Sequence, residues 1–232
     1  MSGGSVVSSG PRARVRELTV PVARALGRLG LTPNGLTLIG FLGTCGAALA
    51  AATQHWLLTG ILVLVFGIFD LFDGTLARAT GTASSLGAFL DSTLDRAGEA
   101  LVYIGIVAGL LATGYEVGPV LAAAAMAAAF MVSYTRAKSE GLGFTPGTGM
   151  ASVGVAPREI RIVILTLGLV LAGILGTAPT SASGDAGAGG GSLPPGILAL
   201  DLALALIGIL AIITTIQRIV HVINQSQRQQ TQ

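Results

Sequence analysis

The sequence predicts an all-α, polytopic integral membrane protein, with six transmembrane helices preceded by an interfacial amphipathic helix. Three observations predict it. The AVILMFWYC set makes up 52% of the 232 residues, and 34 glycines raise that to about two thirds, against roughly 45–50% in soluble domains counted the same way. Charged residues are only 10%, where soluble proteins carry about 25%, and the mean hydropathy is +0.78. The apolar residues also gather into stretches of about 20, the length that crosses roughly 30 Å of hydrocarbon. A soluble globular enzyme, a disordered chain and a disulfide scaffold are excluded. Cys45 is the only cysteine, so it forms no intrachain disulfide and reads as a small core residue.

Residues 1–30 form a tail and the interfacial helix. Arg12, Arg14 and Arg16 without an apolar core segment argue against a cleavable signal peptide. Over residues 14–29, Leu18, Val22, Leu26 and Leu29 share a helical face with Arg24 and Arg28 elsewhere, which suits a helix lying along the membrane surface. Six spans follow within a domain of residues 31–223, at about 35–54, 57–76, 88–113, 117–139, 159–177 and 196–220. Small residues in the first span (Gly40, Gly43, Ala47) permit close helix packing, inside the bundle or across a homodimer face. The 77–87 break is short and polar. The Gly/Ser/Pro-rich stretch 178–195 is expected to be a flexible external loop, and 224–232 a polar C-terminal tail.

The 13 basic residues, 12 Arg and one Lys, all fall before the first span, around the breaks that follow the second and fourth spans, or at the C-terminal end. The intervening side holds only His55, Glu116, Asp185 and Asp201. The positive-inside rule therefore places both termini on the cytoplasmic side of the cell membrane. The basic residues flank lipid, and no nucleic-acid partner is expected.

Acids at membrane depth are costly and need a reason. Asp70 and Asp73 close the second span, and Asp91 and Asp95 open the third. Their i,i+3 and i,i+4 spacings put each pair on one helical face, and the short turn between the spans brings the pairs together. Four such anions repel one another unless cations intervene. Arg78 and Arg96 are near in sequence, and hard divalent ions are the natural partners of carboxylate oxygens. Two metals held by four Asp suit phosphoryl displacement. A proton- or cation-coupled transporter is the remote alternative, but its acids belong near the bilayer midplane, with repeats that are absent here.

The segment Asp70-x2-Asp73-Gly74-x2-Ala77-Arg78-x8-Gly87-x3-Asp91-x3-Asp95 resembles the signature of the CDP-alcohol phosphotransferase family at all eight fixed positions across 26 residues. Six spans behind an interfacial helix are also that family's architecture. The resemblance implies transfer of a phosphatidyl or archaetidyl group from a CDP-lipid, such as CDP-diacylglycerol, to a small alcohol, with release of CMP. It implies two divalent cations, Mg²⁺ or Mn²⁺: Asp70, Asp73 and Asp91 on the first, and Asp70, Asp91 and Asp95 on the second. Asp95 becomes the general base. Gly74 and Ala77 leave room for the CDP moiety, Arg78 pairs with the diphosphate, Gly87 allows close packing, and Ser84 hydrogen-bonds the nucleotide. Thr32, Pro33, Asn34 and Gly35 resemble the family segment bordering cytidine, and equally an ordinary helix start.

Arg136 and Lys138 end the fourth span. Arg158 and Arg161 start the fifth on one helical face, and Arg218 lies near the end of the sixth. Together they suggest an anion pocket, hence a phosphorylated acceptor. The stretch Tyr134 to Gly143 is similar to phosphatidylinositol- and archaetidylinositol-phosphate synthases, which implies inositol phosphate. Pro157 and Ile160 depart from their usual Arg-Pro-Glu-Arg, and glycerol 3-phosphate, the acceptor of phosphatidylglycerophosphate synthases, is the alternative.

Overall fold

The computed structural model describes residues 20–23, 25–144, 153–177 and 193–230, excluding the side chains of Asp70, Leu71, Gln229 and Gln230. Arg12, Arg14, Arg16, Leu18, Arg24 and most of the 178–195 stretch therefore lie outside the described residues. What is described is all helix and turn. Helical residues 20–23 and 25–28 (α1) precede six long helices: α2 (Pro33–Ala52), α3 (Trp56–Thr80), α4 (Ser85–Leu111), α5 (Val117–Gly141), α6 (Arg158–Leu175) and α7 (Pro195–Gln230).

Each apolar stretch in the sequence falls on one of these helices, but three boundaries differ. α3 runs through Arg78 to Thr80, so the first half of the signature is helical rather than turn. The break shrinks to 81–84, where Gly81 adopts φ +69°. α7 continues through the polar residues 224–230, which contain no Gly or Pro to stop a helix. Four described helices are long and apolar enough to cross a membrane: α2, α3, α5 and α7. α4 and α6 are charged near their starts, with Asp91, Asp95, Arg96 and Glu99 on one and Arg158, Glu159 and Arg161 on the other. The chain is a multi-pass membrane protein.

The chain divides into two compact units. The first comprises residues up to Gly43 and Val65–Asp95. Its core is Ala23, Leu36 and Leu76, with Leu26, Leu31, Phe69 and Phe72 packed around them. Ala23 and Leu26 are thus the inward residues of α1, while Val22 and Leu29 are exposed. Phe66, Phe69 and Phe72 form a run of tilted and edge-on rings with centroids 5.6 and 6.3 Å apart. Gly43 is needed here, because a Cβ would enter the Phe66 ring.

The second unit comprises Thr44–Leu64 and Arg96–Gln232. Its core includes Trp56, Tyr103, Ile106, Leu110, Leu169, Leu200, Leu204 and Ile207. Helix axes approach closely where glycine faces backbone. Gly105 meets the Ala48 carbonyl, Gly109 the Ala51 carbonyl, and Gly173 the Leu57 backbone. Ala47 is fully buried in the same core. Gly43 and Ala47 therefore both serve packing inside a unit. Near the α4–α5 turn, the Tyr115 hydroxyl donates to Asp201 Oδ2 at 2.8 Å. Burial, then the Asp201 hydrogen bond and charge, hold the Tyr115 phenol above its usual range.

Candidate active site

In the first unit the signature residues occupy two helix ends and the turn joining them. α3 presents Asp70, Asp73, Gly74, Ala77 and Arg78 within its last three turns. Gly87, Asp91 and Asp95 recur every four residues along α4, which aligns them on one face. The start of α4 is fixed by Ser84, whose Oγ accepts from Gly87 N at 3.0 Å while its carbonyl accepts from Ala88 N. Ser84 is therefore a helix N-cap. Thr32 caps α2 the same way: its Oγ1 accepts from Gly35 N at 3.1 Å, and Pro33 takes the first helical position. A Cβ on Gly87 would stand 3.1 Å from Ser84 Oγ and 3.4 Å from Asn34 Oδ1, so this glycine lets α2 and α4 meet at their N-termini. The space beside Gly74 is held by the Arg78 guanidinium, 3.3 Å from where a Cβ would sit. Arg78 is otherwise exposed and makes one long contact to Thr75.

Asp73 is buried, at 3% exposure, and its two oxygens are held separately. Thr37 Oγ1 of α2 donates to Oδ2 at 2.7 Å, and the Gly74 amide faces Oδ1. Asp91 and Asp95 are half-buried. Among the described residues no three His, Cys, Asp or Glu side chains gather into a metal-holding group. The full set needs Asp70, three residues before Asp73 on α3. The donor chemistry fits a hard divalent cation: carboxylates and a hydroxyl, without sulfur or imidazole.

The second unit carries the basic residues named from sequence. Arg161 of α6 is the largest fully buried side chain among the described residues, at 1% exposure. Its Nη2 donates to Glu99 Oε1 at 3.1 Å, and its Nη1 to the Ala156 carbonyl at 3.2 Å. Glu99 of α4 also accepts from Arg96 at 2.7 Å, and Arg96 reaches Ser133 of α5 at 2.9 Å. Arg218 of α7, 3% exposed, donates from Nε to the Val153 carbonyl at 3.0 Å and from Nη1 to the Val132 carbonyl. It lies within electrostatic reach of Arg136 and Arg161. Arg136 pairs with Glu140 on the surface at 2.9 Å, Lys138 is exposed, and Arg158 is half-buried. The loop entering α6 is tied to α7 by Val155 N to Gln217 Oε1 (3.1 Å) and Ala156 N to Thr214 Oγ1 (3.0 Å).

Sequence reasoning missed Thr37 and Glu99. Glu99 had a signal, standing three residues after Arg96 and four after Asp95. Thr37 had none, because its partner is 36 residues away.

An all-helical, multi-pass membrane protein with a carboxylate signature on two adjoining helix ends defines a class of integral membrane transferases. The chain belongs to the CDP-alcohol phosphatidyltransferase family, whose model matches residues 30–224. It is similar to archaetidylinositol phosphate synthase of Pyrococcus horikoshii, at 38% identity over 66% of this chain and 77% of that protein. It is also similar to phosphatidylinositol phosphate synthase of Cutibacterium acnes, at 34% identity over 91% of this chain and 95% of that protein. The crystal structure of Mycobacterium tuberculosis phosphatidylinositol phosphate synthase with CDP-DAG bound superposes with a TM-score of 0.70 at 25% identity, covering 89% of this chain and 94% of that one. A second structure of that synthase, in complex with manganese and citrate, gives 0.70 at 25% identity, covering 88% of each chain. The chain is a transferase of phospholipid biosynthesis.

Proposed function

We propose that the protein transfers a phosphatidyl group from CDP-diacylglycerol or a related CDP-lipid to a hydroxyl of inositol phosphate, releasing CMP. The observation that carries the acceptor is Arg218, buried and bonded to two backbone carbonyls, with Arg136 and Arg161 in electrostatic reach; Glu140 and Glu99 offset those two, which leaves the Arg218 charge for an anion to offset. The similarity to an archaetidylinositol phosphate synthase and a phosphatidylinositol phosphate synthase supports the same acceptor.

In this reading Asp95 takes the proton from the acceptor hydroxyl. The freed oxygen attacks the β-phosphorus, a new P–O bond forms, and the bond to CMP breaks with CMP leaving as the anion. Arg78, exposed and forked, pairs with the diphosphate. Asp70, Asp73, Asp91 and Asp95 would hold two Mg²⁺ or Mn²⁺ ions, which supply charge neutralisation at the diphosphate and leaving group. Thr32 to Gly35, Gly74, Ala77, Ser84 and Gly87 shape the CDP side. Ser84 and Thr32 do so chiefly by fixing helix starts, and Gly74 by seating Arg78. Arg158 and Lys138 complete the acceptor side with Arg136, Arg161 and Arg218.

The chain would lie in the plasma membrane with six spans, α4 and α6 included, and with α1 along the cytoplasmic interface. Both termini would be cytoplasmic. The test is an acceptor panel with purified protein and CDP-diacylglycerol, read by CMP release. Inositol phosphate should exceed free inositol and serine by at least tenfold. Preference for glycerol 3-phosphate would replace the acceptor and keep the anion pocket; equal rates with unphosphorylated alcohols would remove the pocket.

A further inference from the structure

We propose that Thr37 is a positioning residue for Asp73: its hydroxyl fixes the carboxylate in the orientation from which it binds a divalent cation. The inference rests on reading Asp73 as a metal ligand. Thr37 Oγ1 has one proton and two acceptors within reach, the Pro33 carbonyl of its own helix at 3.1 Å and Asp73 Oδ2 at 2.7 Å. A threonine inside a helix ordinarily bonds back to the carbonyl four residues earlier. Here the shorter contact is to a carboxylate, and a hydrogen bond to an ionised acceptor is the stronger of the two. The proton therefore goes to Asp73.

The rest of the unit holds this contact in place. Thr32 and Pro33 fix where α2 starts, which sets the register of Thr37. The neighbouring Leu36, 1% exposed, packs in one cluster with Leu76 of α3 and so pins α2 against the helix that carries Asp73. The methyl beside the hydroxyl at Cβ restricts the threonine rotamer further than serine's lone hydroxyl would. Asp73 Oδ1 faces the Gly74 amide, so both oxygens have a directed donor and the carboxylate plane is set before any cation arrives. Outer hydrogen bonds of this kind typically carry about 10–100-fold in metal affinity.

The experiment titrates Mn²⁺ into the purified full-length protein without substrates, following loss of the free-ion EPR signal. Thr37→Val keeps the shape and removes the donor. It should weaken Mn²⁺ binding by about tenfold or more, while Thr37→Ser stays within about threefold of the parent; thermal unfolding of each variant is followed alongside, so that folded protein is what is titrated. If Thr37→Val does not fold, Thr37→Ala is read in the same titration. Unchanged affinity in the donor-less variant overturns the proposal, and so does equal weakening by serine. Asp73→Asn serves as the reference. If it too leaves Mn²⁺ binding intact, the metal reading of Asp73 fails and takes the proposal with it. If Asp73→Asn abolishes binding while Thr37→Val does not, only the positioning role is lost.

Discussion

Removing the Glu99 carboxylate should destabilise the second unit more than any loss of a surface ion pair. Glu99 accepts from Arg161 at 3.1 Å and from Arg96 at 2.7 Å, and its own side chain is only 10% exposed. Arg161 is 1% exposed, so water cannot replace the lost partner, and the Ala156 carbonyl is its remaining acceptor among the described residues. Arg96, at 24% exposure and with Ser133 as a second acceptor, recovers part of its solvation. The cost is therefore dominated by one uncompensated buried guanidinium. Breaking such a pair typically costs about 3–5 kcal/mol, against less than about 1 kcal/mol for an exposed pair such as Arg136–Glu140. The assay is unfolding of Glu99→Ala in mixed detergent–SDS micelles, alongside Arg161→Met and the double variant. Because the double variant removes the charge as well as its partner, it should recover much of the loss, with a coupling energy above about 1 kcal/mol. A Glu99→Ala cost below about 1 kcal/mol, or strict additivity of the two singles, would refute the reasoning.

Other perturbations separate packing from chemistry. Gly109→Ala drives a methyl into the Ala51 carbonyl and the Trp56 ring; it should cost about 1–3 kcal/mol in the same unfolding assay, without changing relative acceptor rates. Tyr115→Phe deletes the donor to Asp201 and should cost roughly 1–2 kcal/mol. Because the folded Tyr115 pKa is raised, the phenol's contribution is fully present below its unfolded pKa and lost as pH rises through the folded value. The parent's lead over Tyr115→Phe should therefore shrink in alkaline solution. Ser84→Ala removes the α4 cap, costing about 1 kcal/mol; a helix-cap role lowers unfolding stability with little change in CDP-lipid KM, whereas a nucleotide contact would raise that KM.

Composition and periodicity were enough to place every helix, because lipid demands long apolar stretches with internally satisfied backbones. The spacing of Asp70, Asp73, Asp91 and Asp95 likewise placed the acids on two adjoining helix ends, where α3 and α4 carry them. Finer features escaped for physical reasons. Gly81 alone suffices to turn the chain, so α3 extends past Arg78 and the break is four residues rather than eleven. Ser84 read as a nucleotide neighbour, and its oxygen also accepts at a helix start; the segment from Thr32, read equally as a helix start, is one. Gly74 read as space for the CDP moiety, and Arg78 borders that space. Asp201 read as one of the few acids on the external side. In the fold it is buried in α7 against a tyrosine 86 residues away, a pairing no local pattern announces. The same holds for Glu99 and Arg161, separated by 62 residues.

The central claim is tested most directly by product analysis after incubating the purified protein with CDP-diacylglycerol, Mg²⁺ and inositol phosphate. Mass spectrometry should find phosphatidylinositol phosphate and CMP in equal amounts, and neither with Asp95→Asn. CMP without the new phospholipid, or full product formation by Asp95→Asn, would contradict the account.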